Sequence, residues 1–572
     1  MSHPARLFPA LAMALVAVSS TGLAQRALPV DRLPADTYAF AVWHGAAALA
    51  KAQPTNNLVQ LWNDPDFSAL RRTLTDWLVA VSQTAAGEGA PAPPLTQADL
   101  DAAIDLGNCP AIIGFAGRLD LSRLIDSLDQ TTAKPAESDL FAIMDATGKE
   151  EQYRRFSDAV AARAGSRQAV TTVAIKGVSV TRRTQPDSVS FEAALGPWRI
   201  SAGRQSVIED LIGRLQASGA PPDAVTQTAF YQAAGTFRAP NPILEYYVRM
   251  PDLTSIKAPS AGPFNVTALL QNLHLDRIQG LAGSIGLSGA GATLRNAILG
   301  NTSPGSLFDL FGASTTSLAT LPAAPAGSSY SASRLDLGAF YRTVRAALKS
   351  ALAADAFANV EMAEQMVSAE TQMTLPDLFA LIEEVATVVP VDRAATDFAS
   401  QMFVLKVRRP QDLLAVLRQA AGPLVSSETA EGGTTFMSLN LDTTMLHLAV
   451  TPQFFIVAPT RDTAREAIAR AAAPSPPAGS LAADAGFQRS RKEFPASLTS
   501  LAYSDMSKFP WQTFFEAFDA ALSSQAGRET PLKSPPPSIG RTIAGLLQRH
   551  LRTSASASWK APAGVFFDMR VN

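Results

Sequence analysis

The chain has 572 residues, 47% of them hydrophobic, so a sizeable core is expected in roughly three to four domain-sized pieces or two large ones. Its 48 basic and 50 acidic residues leave a net charge of −2, which gives no basis for a nucleic-acid or anionic-membrane partner. The single cysteine, Cys109, excludes an internal disulfide, so the core alone must hold the fold.

Leu7 to Val18 is a short apolar run, followed by small and polar residues. Gly22 and Ala24 stand at −3 and −1 of a cut before Gln25, which predicts a signal peptide over 1–24. An extracytoplasmic location follows, periplasmic or secreted. The run is shorter than the ~20 residues of a membrane-spanning helix. No later stretch is long and apolar enough to span, so no transmembrane segment is expected after signal removal.

Tyr38 to Trp43 is apolar on both alternating faces and predicts a buried strand. A short helix is expected at 45–52, then helices at 58–62 and 67–81, the second opened by Asp64-Pro65. A loop at 87–94 leads to a helix over 96–105, a strand at 111–117, and helices at 121–128 and 153–162. Four strands follow at 170–175, 178–184, 189–195 and 198–202, and their tight connections predict an antiparallel meander. The next helix starts with Ser206-x-x-Glu209, a capping box. Hairpins are expected at 278–299 and 553–571.

The stretch Pro197 to Arg214 returns at Pro452 to Arg470. Arg204 and Arg461, Glu209 and Glu466, Phe230 and Phe487, Phe237 and Phe494, Leu244 and Leu501, and Tyr246 and Tyr503 all lie 257 apart by subtraction. Thr463-x-x-Glu466 repeats the capping box. The expected fold is α+β, with two homologous units at 33–300 and 327–572 joined by a linker at 301–326. Each unit would be an antiparallel sheet, a meander plus a closing hairpin, packed with helices.

Catalytic, cofactor and metal residues are each read as none. The five histidines show no His-x-x-His or His-x-x-x-His spacing, and metal ligands must converge from close spacings. Cys109 reads as a buried small hydrophobe at a strand entrance. Ser288 lacks the final glycine of a hydrolase elbow, and Ser504-Asp505-Met506 lacks the asparagine of the penicillin-recognising motif. Glu383-Glu384 reads as a solvated helix face and Arg408-Arg409 as a solvated strand end. Tyr246 and Tyr503 read as core aromatics with bonded hydroxyls. The stripe of Trp511, Phe514, Phe515 and Phe518 reads as helix core.

At Leu33-Pro-Ala-Asp-Thr-Tyr-Ala-Phe-Ala-Val and Asn63-Asp-Pro-Asp-Phe67 the chain resembles a loosely defined group of exported bacterial proteins of unknown function. The resemblance implies an extracytoplasmic α+β protein and adds no functional residue. The functional expectation is an exported, non-enzymatic binding or cell-envelope protein with no cofactor. Two alternatives are a secreted hydrolase with a dispersed site and a carrier of apolar ligands.

Overall fold

The computed structural model describes residues 27–45, 53–85, 96–117, 138–163, 169–185, 188–250, 265–390, 401–441, 444–513, 515–516 and 538–572. The predicted signal peptide, the loop at 87–94, the helix at 121–128, most of that at 45–52, and Phe514 and Phe518 lie outside the described residues.

Helices and a large antiparallel sheet make up an α+β fold. The helices are α1 (Asn57–Asn63), α2 (Pro65–Ala85), α3 (Gln97–Gly107), α4 (Glu150–Arg163), α5 (Gln205–Gln216), α6 (Ala229–Gly235), α7 (Val266–Asn272), α8 (Leu337–Ala351), α9 (Ala354–Thr371), α10 (Leu375–Ala380), α11 (Pro410–Ala421), α12 (Arg461–Ala472), α13 (Ala485–Arg491) and α14 (Ser538–His550). Contacts divide the chain into two units. The first holds 1–251, 280–295 and 515–550; the second holds 252–279, 296–514 and 551–572. Thus α7 clusters with the second unit and α14 with the first.

The first ten strands are β1 (Ala39–Trp43), β2 (Ala111–Phe115), β3 (Leu140–Asp145), β4 (Ala169–Ile175), β5 (Val178–Thr184), β6 (Val189–Leu195), β7 (Trp198–Ala202), β8 (Pro242–Arg249), β9 (Ile278–Ser288) and β10 (Gly291–Gly300). They pair in the order β4-β5-β6-β7-β3-β2-β1-β8-β9-β10. The predicted meander is β4 to β7, within a residue of each expected bound. Lys176 and Gly177, both with positive φ, make the tight turn between β4 and β5. Alternation sends Ile200 and Ala202 of β7 inward, where Val207, Ile208, Leu211 and Ile212 of α5 cover them. The buried stripe of α5 therefore runs through Ile208 and Ile212 and leaves Leu215 only half-buried.

The second ten strands are β11 (Ser328–Arg334), β12 (Ile382–Pro390), β13 (Met402–Val407), β14 (Val425–Glu431), β15 (Thr434–Leu441), β16 (Thr444–Val450), β17 (Phe454–Ala458), β18 (Ser500–Asp505), β19 (Thr553–Ala561) and β20 (Gly564–Val571). They pair in the order β14-β15-β16-β17-β13-β12-β11-β18-β19-β20. Their main core gathers Tyr330, Val404, Ile456, Ala464, Phe487 and Tyr503.

Three expectations need correction. Neither predicted capping box forms. Arg204 occupies the N-cap of α5 without a side-chain bond, and Thr460, not Thr463, caps α12 by accepting from the Thr463 amide. The chain leaves β7 and β17 two residues before each cap, so the helices begin earlier than the box pattern implies. Glu383 and Glu384 lie on β12, not on a helix, and the strand sends them to opposite faces. Residues 301–326, expected as a linker, are packed: Phe308, Leu318, Ala323 and Ala324 are buried, and Thr315 and Pro325 bridge to Leu498 and Ser480. Small residues let this irregular segment pack closely, which composition alone reads as looseness.

Candidate functional site

The second unit contains an open cleft of about 820 Å³. It is lined by polar groups from α7, the segment after β10, α8 and β19, including His274, Asp309, Asp336, Arg342, Thr343 and Lys560. Asn301 Oδ1 opens the wall by accepting from the Ser303 amide at 3.0 Å. Asp309 then ties the next turn: its Oδ2 accepts from the Gly305 amide (2.7 Å), the Ser306 amide (3.2 Å) and the Thr343 hydroxyl (3.1 Å). Asp336 caps α8, accepting from the Ala339 amide at 2.8 Å. Both carboxylates are thus engaged in holding the cleft walls.

The cations are engaged differently. Lys560 is half-buried, and its ammonium donates to the Phe308 carbonyl at 3.0 Å. Beside the wall, Arg277 donates to the carbonyls of Ser303 and Pro304, and Arg334 to that of Ala313. Arg342 is exposed on α8. His274 sits at the rim with a left-handed backbone, φ 51°, uncommon for a residue with a Cβ.

The first unit holds a buried polar network. Glu245 on β8 is 2% exposed. Its Oε1 pairs with His44 Nε2 at 2.6 Å, and its Oε2 accepts from the Tyr247 hydroxyl at 2.7 Å and pairs with Arg238 Nε at 2.5 Å. Arg238 also donates to the hydroxyls of Tyr231 and Tyr247, each at 3.0 Å. Burial alone would raise the Glu245 pKa; the bonds from His44 and Tyr247 and the Arg238 charge together bring it below the usual carboxylate range. Phe40 of β1 stacks on the Tyr247 ring at 4.7 Å.

The other residues singled out by sequence are structural in their surroundings. Cys109 is buried, and desolvation pushes its thiol up to about 11, so it is not a thiolate at neutral pH. Ser288 shares a hydrogen bond with Thr293, and Ser504 with Ser329. Asp505 accepts from Ser507. His447 pairs with Ser438, and His550 with Asp64 at 2.9 Å. Glu383 takes Lys406 and Arg408, while Arg409 pairs with Asp412. Trp511 donates to the Met506 carbonyl. Glu384 is 2% exposed and accepts from the amides of Ala319 and Thr320 and the Thr320 hydroxyl. Tyr503 is in the core, whereas Tyr246 is only half-buried; the core tyrosine of β8 is Tyr247. Among the described residues no group of three or more His, Cys, Asp or Glu could hold a metal ion.

Sequence reasoning missed both clusters. The cleft is assembled from four segments spread over almost 300 residues, and its loop was discounted as a linker. The Glu245 network joins β1, β8 and the chain before β8, and no local spacing signals it. No family model, curated protein or solved structure matches this chain.

Proposed function

We propose that the protein is an exported, non-enzymatic binding protein, built from a tandem duplication, with its ligand site in the cleft of the second unit. The cleft carries this reading: it is within the size range of small-molecule sites and has several polar groups converging on it. A carrier of apolar ligands would call for a dry apolar groove, and the charged lining favours a polar ligand instead.

The non-enzymatic part rests on the lack of a catalytic motif in the sequence, and the displaced carboxylates, tyrosines and cysteine agree with it. A general acid or base works best with a pKa near the operating pH. Every carboxylate with a displaced pKa among the described residues is displaced downward, as at Glu245, Glu364 and Asp505. Every displaced tyrosine, and Cys109, is displaced upward. Each shift leads away from neutrality.

Duplication is supported by the two strand orders, which become the same when ten is subtracted from each number in the second. The bounds of β17, α12 and α13 each lie 256 residues after those of β7, α5 and α6, by subtraction of their first residues. The turn Lys176-Gly177 matches Gly432-Gly433, and the bridge Pro34 to Ala224 matches Pro325 to Ser480. The spacing read from sequence, 257, is therefore one residue too long. With 256, Tyr231, Arg238, Glu245 and Tyr247 correspond to Phe487, Phe494, Leu501 and Tyr503. The polar network of the first unit has an apolar counterpart in the second.

Export rests on the N-terminal layout. Among the described residues no helix is long and apolar enough to cross a membrane. N-terminal sequencing of protein from its native host should find Gln25 first; a membrane-bound chain beginning at Met1 would refute export with cleavage before Gln25. Mass spectrometry showing that the chain consumes the ligand it binds would refute the non-enzymatic reading.

A further inference from the structure

We infer that the cleft of the second unit takes a small organic anion, whose carboxylate or phosphate is held by Lys560 and Arg342. This rests on the reading of the cleft as a ligand site and adds the ligand's chemical class.

The argument is one of charge pairing. Of the charged groups lining the cleft, the carboxylates are already engaged: Asp309 with three donors, Asp336 with the first turn of α8. Lys560 and Arg342 have no carboxylate partner among the described residues. Many other arginines among the described residues do, as in the pairs of Arg214 with Asp210 and Asp223, Arg345 with Glu364, and Arg570 with Asp568. Arg277 and Arg334, which bond the cleft's wall through backbone carbonyls, add two further unpaired cations beside it. The excess of unengaged charge around the cleft is therefore positive.

Lys560 carries the sharper argument. An ammonium has three donors, and only the Phe308 carbonyl receives one. Its side chain is half-buried on the cleft wall, which leaves the remaining donors to water or to a ligand in the cleft. A ligand oxyanion would satisfy those donors and supply the missing charge. Arg342, at the exposed edge of the same cleft, has the planar fork suited to carboxylate or phosphate oxygens. Asn272, Ser314 and Thr343 leave polar groups for the rest of the ligand, while Phe311, Ala339 and Ala346 add apolar lining.

The test is isothermal calorimetry on the mature chain with glucose 6-phosphate, citrate and glucose. Glucose and its phosphate differ only in the anionic group. At least one of the two anions should bind ten-fold or more tighter than glucose, and that binding should weaken with added salt. Lys560→Met should weaken it at least ten-fold, Lys560→Arg should restore much of it, and Arg342→Gln should weaken it several-fold. Lys349→Gln, on the same helix but outside the lining, should leave it unchanged. Circular dichroism and thermal melting of each variant separate loss of binding from loss of fold. Glucose binding as well as both anions, an anion affinity indifferent to Lys560 and Arg342, or no binding of either anion would overturn the inference. Binding of glucose alone would do so while leaving the cleft a ligand site. Chemical conversion of a bound anion would leave the anion site standing and remove the non-enzymatic reading.

Discussion

Glu245→Ala should destabilise the protein by about 3 kcal/mol, the lower end of what breaking a buried ion pair costs. The lower end applies because Arg238 and His44 each keep about a third of their side-chain surface exposed and can be partly hydrated once the carboxylate is gone. The loss comes from the partners left behind: a guanidinium, an imidazole and the Tyr247 hydroxyl lose their shared acceptor. Under the proposed duplication, the positions of Tyr231, Arg238 and Glu245 fall at Phe487, Phe494 and Leu501 of the second unit. Hence the triple change Tyr231→Phe, Arg238→Phe and Glu245→Leu should be more stable than Glu245→Leu alone, because replacing a whole buried polar set is far cheaper than truncating one member. Denaturant melts of the three variants and the parent decide this. A triple variant as unstable as the single one would mean that the two sites are not equivalent in packing.

The same carboxylate has a pH signature. Its folded pKa lies below its unfolded value of about 4.3. The stability it contributes is therefore fully present above that unfolded value and is lost as pH falls through the folded one. The stability difference between the parent and Glu245→Gln should shrink on acidification below about pH 4.3.

Glu384→Ala should cost about 3 kcal/mol or more, since three donors in the segment 319–320 lose a charged acceptor in a place closed to water. Thr320 also bonds the hydroxyl of fully buried Tyr330 at 2.9 Å, so the change should loosen the packing of β11. Hydrogen exchange should show faster exchange of the Thr320 amide, and near-ultraviolet circular dichroism should change. A variant of unchanged stability would mean that water reaches these donors, contrary to their burial.

Local patterning carried much of the fold into the sequence. The meander β4 to β7 and both closing hairpins are legible because each strand is bounded by turn residues and pairs with its neighbour in the chain. β3 is not, because its partners β2 and β7 are distant in sequence, although Ser138-Asp139 and Thr147-Gly148 flank it. The pair Glu383-Glu384 misled for a related reason. Two adjacent carboxylates resemble a solvated helix face, and only the tertiary fold reveals that one faces Arg408 while the other is sealed against Thr320. The proposed repeat is read from sequence at a spacing of 257, one residue from the 256 that separates β7 and β17 by subtraction of their first residues. Tyr246 and Tyr247 are adjacent in sequence and point to opposite faces of β8, so a one-residue error exchanges a half-buried tyrosine for the core one. The cleft was not legible at all, because its cations belong to segments whose proximity no spacing records.

Equilibrium dialysis of the protein against radiolabelled glucose 6-phosphate, citrate and glucose, each alone, tests the central claim that the cleft of the second unit binds a polar small molecule and leaves it unaltered. Ala346→Trp is the matched control, since Ala346 is exposed on α8 and lines the cleft, so a bulky side chain there occupies ligand space without entering the core. The account predicts uptake of about one molecule per chain of at least one of the anions, most of it lost in Ala346→Trp, with the label recovered chemically unchanged. Uptake of none of the three, uptake indifferent to Ala346→Trp, or label recovered as a different compound would contradict it.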